Sequence, residues 1–192
     1  NTSNVTAMDY LFYGNSLFNQ PLSSWVTSKV TIVQSMFEYD HLFNQNLSSW
    51  DVSNMIDMSK MFRRCYAFNN AGVSIAGWSA PKCTSFFQMF YFANVFNQRL
   101  DNLVKTNMLT GSDTCTLKEM FGFASLFNQN VGSWNVSKVS NMESVFKYST
   151  AFNNGGSNQI QFWSAPACIT FYGMFNSCTN YNQPLTNLYT TP

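Results

Sequence analysis

A repeat solenoid, wound through about seven coils of 25–31 residues, is the fold class this sequence predicts, and three observations carry the prediction. Phe12, Phe37, Phe62, Phe90, Phe121, Phe146 and Phe175 recur at intervals of 25, 25, 28, 31, 25 and 29 residues. Six residues after each stands an aromatic followed without exception by asparagine: Asn19, Asn44, Asn69, Asn97, Asn128, Asn153 and Asn182. All five tryptophans, Trp25, Trp50, Trp78, Trp134 and Trp163, stand twelve residues before the next anchor, and Leu109 fills the sixth slot. Self-similarity at this period marks an architecture in which one unit cannot bury its own apolar side and stacking supplies the core.

Each coil reads in the same order. The position four before the anchor is Met8, Val33, Met58, Phe86, Leu117, Met142 or Phe171, and the one just before it is Leu11, Met36, Met61, Met89, Met120, Val145 or Met174. The apolar step from seven to four before the anchor, as in Val139-Ser140-Asn141-Met142, suits a short extended segment. One helical turn carrying the Met-Phe pair is expected next, and the stretch from the second Phe to Trp, as in Phe43 to Trp50, is expected to be strand plus turn. Parallel stacking at roughly 4.8 Å per coil gives a rod of about 34 Å. Extra residues fall at about 70–77, 104–111 and 154–162, which are expected to be inserted loops on a single solenoid domain spanning 1–192. Coils two to four repeat in coils five to seven, since Trp78-Ser79-Ala80-Pro81 returns as Trp163-Ser164-Ala165-Pro166, which points to a duplicated triplet.

Composition narrows the function. Charged residues are 10 % and aromatics 17 %, and ten Lys and Arg nearly cancel nine Asp and Glu. No basic run could neutralise phosphates, so nucleic acid is not an expected partner. Apolar stretches are broken every few residues by Asn, Ser or Gln, so no membrane span is expected. Asn1 is not an initiator Met and no basic leader precedes an apolar stretch, so the chain reads as processed or excerpted.

The asparagine column could in principle bind a ligand, but a structural ladder, each amide serving the coil beside it, is the favoured reading. Gln20, Gln45, Gln98, Gln129 and Gln183 follow it, with Asn70 and Asn154 in the same column. The tryptophans could form sugar-stacking platforms, yet the slot tolerates Leu109, which favours burial. Five cysteines cannot all pair within the chain and none is spaced Cys-x-x-Cys, so no metal site or cofactor is expected. Cys83 with Cys115 is the candidate disulfide, although their one-residue offset could turn one thiol away. Glycosylation sequons begin at Asn1, Asn4, Asn46 and Asn135. The single histidine, His41, sits in a variable column without a titratable cluster, and no serine elbow, phosphate loop or paired carboxylates appear, so no enzyme is expected.

Met36-Phe37 followed by Phe43 to Asn54, reading Phe-Asn-Gln-x-Leu-Ser-Ser-Trp-Asp-Val-Ser-Asn, resembles the repeats of the BspA-like leucine-rich-repeat surface proteins. The resemblance covers all seven coils and implies a leucine-rich-repeat-like solenoid, an extracellular or cell-surface location and a role in adhesion. Two functions follow as expectations. Asn1 and Pro192 fall in nearly the same phase of the repeat, which suggests a structural subunit partnered by itself, stacking head to tail into a fibre. The alternative is a monomeric adhesin or glycan-binding module, a segment of a longer repeat protein, whose loops around Ser74 to Trp78 and Ser157 to Trp163 engage a host or matrix protein or a glycan.

Overall fold

The computed structural model describes residues 1–188; Pro192, on which the matching phase of the two ends was judged, lies outside them. Successive coils are joined by a parallel ladder. Single-residue bridges link Ala7 to Ile32, Ile32 to Asp57, Asp57 to Ser85 and Ser85 to Thr116, each residue standing five before its anchor. The ladder widens into two short parallel strands, β1 (Cys115–Thr116) and β2 (Val139–Asn141), with an irregular register between Cys115 and Thr116. The extended segment therefore lies where the apolar step before the anchor places it.

The Met-Phe stretch is not a helical turn. It consists of linked tight turns closed by three-residue bonds such as Tyr13 N–H to Tyr10 C=O at 3.1 Å and Asn15 N–H to Phe12 C=O at 3.0 Å. Left-handed backbone recurs two residues before the anchor, at Tyr10, Ser35, Lys60, Gln88, Glu119, Ser144 and Gly173. It recurs again two residues after, at Gly14, Tyr39, Arg64, Phe92, Phe123, Tyr148 and Ser177. The physical reason is that alternate N–H groups face the neighbouring coil: those of Met8, Tyr10, Phe12 and Gly14 donate to the carbonyls of Ile32, Gln34, Met36 and Glu38 at 2.8–2.9 Å. A helix would consume those donors within one coil, whereas this winding satisfies every second one between coils. The cost of left-handed backbone at ordinary residues is offset by four inter-coil bonds per junction.

The stretch from the second Phe to Trp is likewise not a strand, because its inter-coil bonding is done by asparagine side chains. Every 3-10 turn among the described residues lies in an insertion: Asn70–Gly72, Thr106–Met108, Asn154–Gly156 and Gln159–Phe162. The first and third of these carry the same inverted φ, near 50–60°, at Ala71 and Gly155, so the two loops fold alike.

The core is two aromatic files zipped together. Anchor rings stack along the molecule with centroids 5.5 Å apart for Phe12 and Phe37, 5.6 Å for Phe37 and Phe62, and 5.4 Å for Phe90 and Phe121. Within each coil the anchor also stacks on the second Phe, at 4.0 Å for Phe37 and Phe43. Aromatic planes in offset contact add to the area they bury, which suits a core with this much phenylalanine. Met36, Met61, Met89 and Met120 are wholly buried beside them and fill the irregular gaps.

Candidate functional site

The asparagine column forms an unbroken set of six rungs. Asn19 Oδ1 accepts the Asn44 backbone N–H at 2.9 Å, and the same bond runs Asn44 to Asn69, Asn69 to Asn97, Asn97 to Asn128, Asn128 to Asn153 and Asn153 to Asn182 at 2.8–2.9 Å. Gln45, Gln98, Gln129 and Gln183 add their Nε2 donors to the preceding asparagine oxygen at 2.8–3.1 Å. Asn70 and Asn154 behave differently from the glutamines of their column. Both are fully buried, accept the N–H of Leu47 and Val131 in the preceding coil, and donate to Val73 and Ser157, which pins the start of each long loop. The oxygens of Asn19 to Asn153 are thus engaged between coils, as a structural ladder requires.

Trp50, Trp78, Trp134 and Trp163 are buried, and Trp25 is half-buried at the first coil. The indole N–H of Trp50, Trp78 and Trp134 donates to the carbonyl of Leu22, Leu47 and Leu100 at 2.7–3.2 Å. These rings are packing elements and not platforms.

All five cysteines carry free thiols, so the Cys83–Cys115 pair expected from sequence is not formed. Each of these two thiols instead turns to a carbonyl of its own segment, Cys83 to Ser85 at 3.3 Å and Cys115 to Thr116 at 3.8 Å. Cys168 repeats the Cys83 geometry, donating to Thr170 at 3.2 Å. Burial pushes the Cys83 thiol up to about 12, which makes it a weak nucleophile.

Of the sequon asparagines, Asn1 and Asn4 are exposed, whereas Asn46 and Asn135 are half-buried. Asn135 Oδ1 accepts the Ser137 N–H and hydroxyl, and its backbone bridges Lys105, so a glycan there would meet the adjoining coil. His41 stacks on Tyr66 with ring centroids 4.8 Å apart. Among the described residues no group of three or more His, Cys, Asp or Glu could hold a metal ion, and no helix is long and apolar enough to cross a membrane.

Two features outside the repeat's internal bonding remain. The first is the pair of coil edges. Among the described residues, the N–H groups of Gly173, Phe175 and Ser177 in the seventh coil donate to nothing and the carbonyls of Asp9, Leu11 and Tyr13 in the first accept nothing. Leu11 is 52 % exposed, while the residues of its column in coils two to six are wholly buried.

The second is a polar cleft of about 440 Å³ lined by Arg99, Asp101, Asn102, Gln129, Asn130, Ser133 and Gln159. It is walled by the 154–162 insertion, whose Gln159 accepts from Asn130 Nδ2 at 2.9 Å. Gly132 makes that approach possible, because a Cβ there would stand 2.2 Å from Gln159 Cβ and 3.0 Å from its backbone carbon. Gly132→Ala is expected to push the loop out and cost about 1–2 kcal/mol in urea unfolding. Gly77→Ala, where a Cβ meets nothing within 4 Å, is expected to change stability little and serves as the control. Neither Gln159 nor the charged pair Arg99 and Asp101 falls in a column that repeats by residue type, so the periodicity gave no signal for them.

With this geometry in hand, comparison with known proteins gives one result. Residues 1–103 and 106–191 match the family described as Mycoplasma protein of unknown function, DUF285, and the chain belongs to that family. No curated protein and no solved structure matches it.

Proposed function

We propose that this chain is a structural protomer of a cell surface: a leucine-rich-repeat-like solenoid of the BspA-like kind, located extracellularly, that stacks end to end into a fibre. The observation that carries this reading is the match between its two edges. At the six internal junctions, N–H groups at the anchor and two residues to either side donate to carbonyls one residue earlier in the next coil. The donors of Gly173, Phe175 and Ser177 and the acceptors Asp9, Leu11 and Tyr13, which have no partner among the described residues, occupy those same positions. Asn182 Oδ1 and the Asn19 N–H would supply a seventh rung of the asparagine ladder. A head-to-tail contact between unlike edges does not close on itself, so its product is a filament. Stacked aromatics, near-zero net charge and hydroxyl-rich turns suit such a role.

Sedimentation velocity with negative-stain microscopy tests this on the 192-residue chain. The wild type is expected to form rods whose length grows with concentration, reaching assemblies by about 100 µM. Leu11→Glu places a charge on the exposed near edge and is expected to leave a folded particle of 21.9 kDa with an unchanged melting temperature. A wild-type chain that stays single at every concentration would assign those edges to something other than a second copy.

A further inference from the structure

We infer that the cleft between coils four and five and the 154–162 insertion is a binding site for a neutral polyhydroxylated ligand, a mono- or disaccharide segment of a glycan. Four observations lead there. First, the cleft's volume of about 440 Å³ lies in the range of small-ligand sites. Second, every residue that lines it carries a polar group, four amides, one hydroxyl and one ion pair, and their carbon stems supply the apolar part of its surface. Arg99 clasps Asp101 with two nitrogens, one of them Nε at 3.3 Å from Oδ1, so the charges cancel and neither is left to demand a charged partner. Amides beside a neutralised Arg-Asp pair present alternating donors and acceptors, which is what vicinal hydroxyls require.

Third, the groups are held in place before any ligand arrives. Ser133 donates to the Asp101 carbonyl at 2.8 Å, Asn102 Nδ2 to Ala76 at 3.1 Å, Gln129 Nε2 to Asn97 at 2.9–3.0 Å and Asn130 Nδ2 to Gln159 Oε1 at 2.9 Å. These bonds leave Asn102 Oδ1, Gln129 Oε1, Gln159 Nε2 and one guanidinium nitrogen of Arg99 without a partner among the described residues, each on a side chain that lines the cleft. Fixing them beforehand removes an ordering cost from binding. Fourth, the lining departs from what stacking demands. Arg99 stands where other coils carry Pro21, Asn46, Asn130 and Pro184, and Asp101 where they carry Ser23, Ser48, Gly132 and Thr186. Stacking can therefore be served by small neutral residues at both positions, and the charged pair is surplus to it. None of the residues lining the cleft belongs to either coil edge, so the inference stands apart from end-to-end stacking.

Saturation-transfer NMR, read on the saccharide's own protons, tests the site in filaments and single particles alike. The probes are neutral disaccharides of hexose and of N-acetylhexosamine, with a sialylated trisaccharide in parallel. At least one neutral disaccharide is expected to bind saturably, with about tenfold weaker binding by Gln159→Ala and by Asn102→Ala, since each removes one or more hydrogen bonds. Both residues are exposed, so melting temperatures are expected to stay within about 2 °C of the wild type. The inference is overturned if no neutral disaccharide binds, if both variants bind as the wild type does, or if the sialylated probe binds more than tenfold better, which would assign recognition to charge.

Discussion

Asn97→Ala is expected to lower stability by about 2–3 kcal/mol, and Asn97→Asp by less than half of that. Asn97 Oδ1 accepts two bonds from the next coil, the Asn128 N–H at 2.9 Å and Gln129 Nε2 at 2.9 Å, in a partly buried setting. Truncation strands the Asn128 N–H between coils and leaves Gln129 Nε2 only its bond to the Asn97 backbone carbonyl at 3.0 Å, and an unsatisfied, poorly hydrated donor costs more than the net worth of the bond it loses. Aspartate keeps the oxygen in place and gives up only the Nδ2 group, which no rung uses. The site lies in the middle of a stack whose coils touch mainly their neighbours, so the damage should also split unfolding into two steps. Urea denaturation followed by near-ultraviolet dichroism reads both effects. Equal losses for alanine and aspartate would mean that the column acts through packing and not through its acceptor oxygen.

The periodic columns made the stacking direction, the insertions and the ladder residues legible from sequence because each depends on side-chain identity repeated at a fixed phase. The path of the backbone between columns was not legible. Tyr10, Ser35, Lys60, Gln88, Glu119 and Ser144 adopt left-handed backbone although none is glycine or asparagine, the residue types that usually signal it. Only Gly14 and Gly173 carried a hint. Those conformations are imposed by bonds to a coil 24 or more residues away, and local propensity holds no record of them. The expected strand after the second Phe failed for a related reason: Asn19 to Asn182 take over with side chains the bonding that a strand would make with its backbone. The cleft was not read from the sequence. Arg99 and Asp101 stand out against their columns, but that Gln159 folds back over Asn130 follows from how the insertion is pinned by buried Asn154.

Asp40→Ser is expected to stabilise the protein at pH 7.5 by about 2 kcal/mol, or roughly 4–8 °C in melting temperature, and to gain little near pH 4. Asp40 has no exposed surface, and neither carboxylate oxygen has a hydrogen-bond partner. Burial raises its pKa from 3.8 to about 7, with the backbone amides of Phe43 and Leu42 pulling the other way without reaching hydrogen-bond geometry. Its column explains the discomfort. Cys65, Ser149 and Cys178 stand at the same place in their coils and each donates to the anchor carbonyl of the preceding coil, Phe37, Phe121 and Phe146, at 2.5–2.8 Å. The position asks for a donor, or for the small Ala93 and Ala124 of other coils, and an ionised carboxylate offers only acceptors. Between pH 3.8 and about 7 the folded chain holds a proton that the unfolded chain releases, so native stability falls as pH rises through that window and is level above it. Serine supplies the donor without the titration. The gain over wild type should therefore grow from pH 4 to pH 7 and then hold, and a gain of the same size at both ends would mean that serine improves packing and not charge.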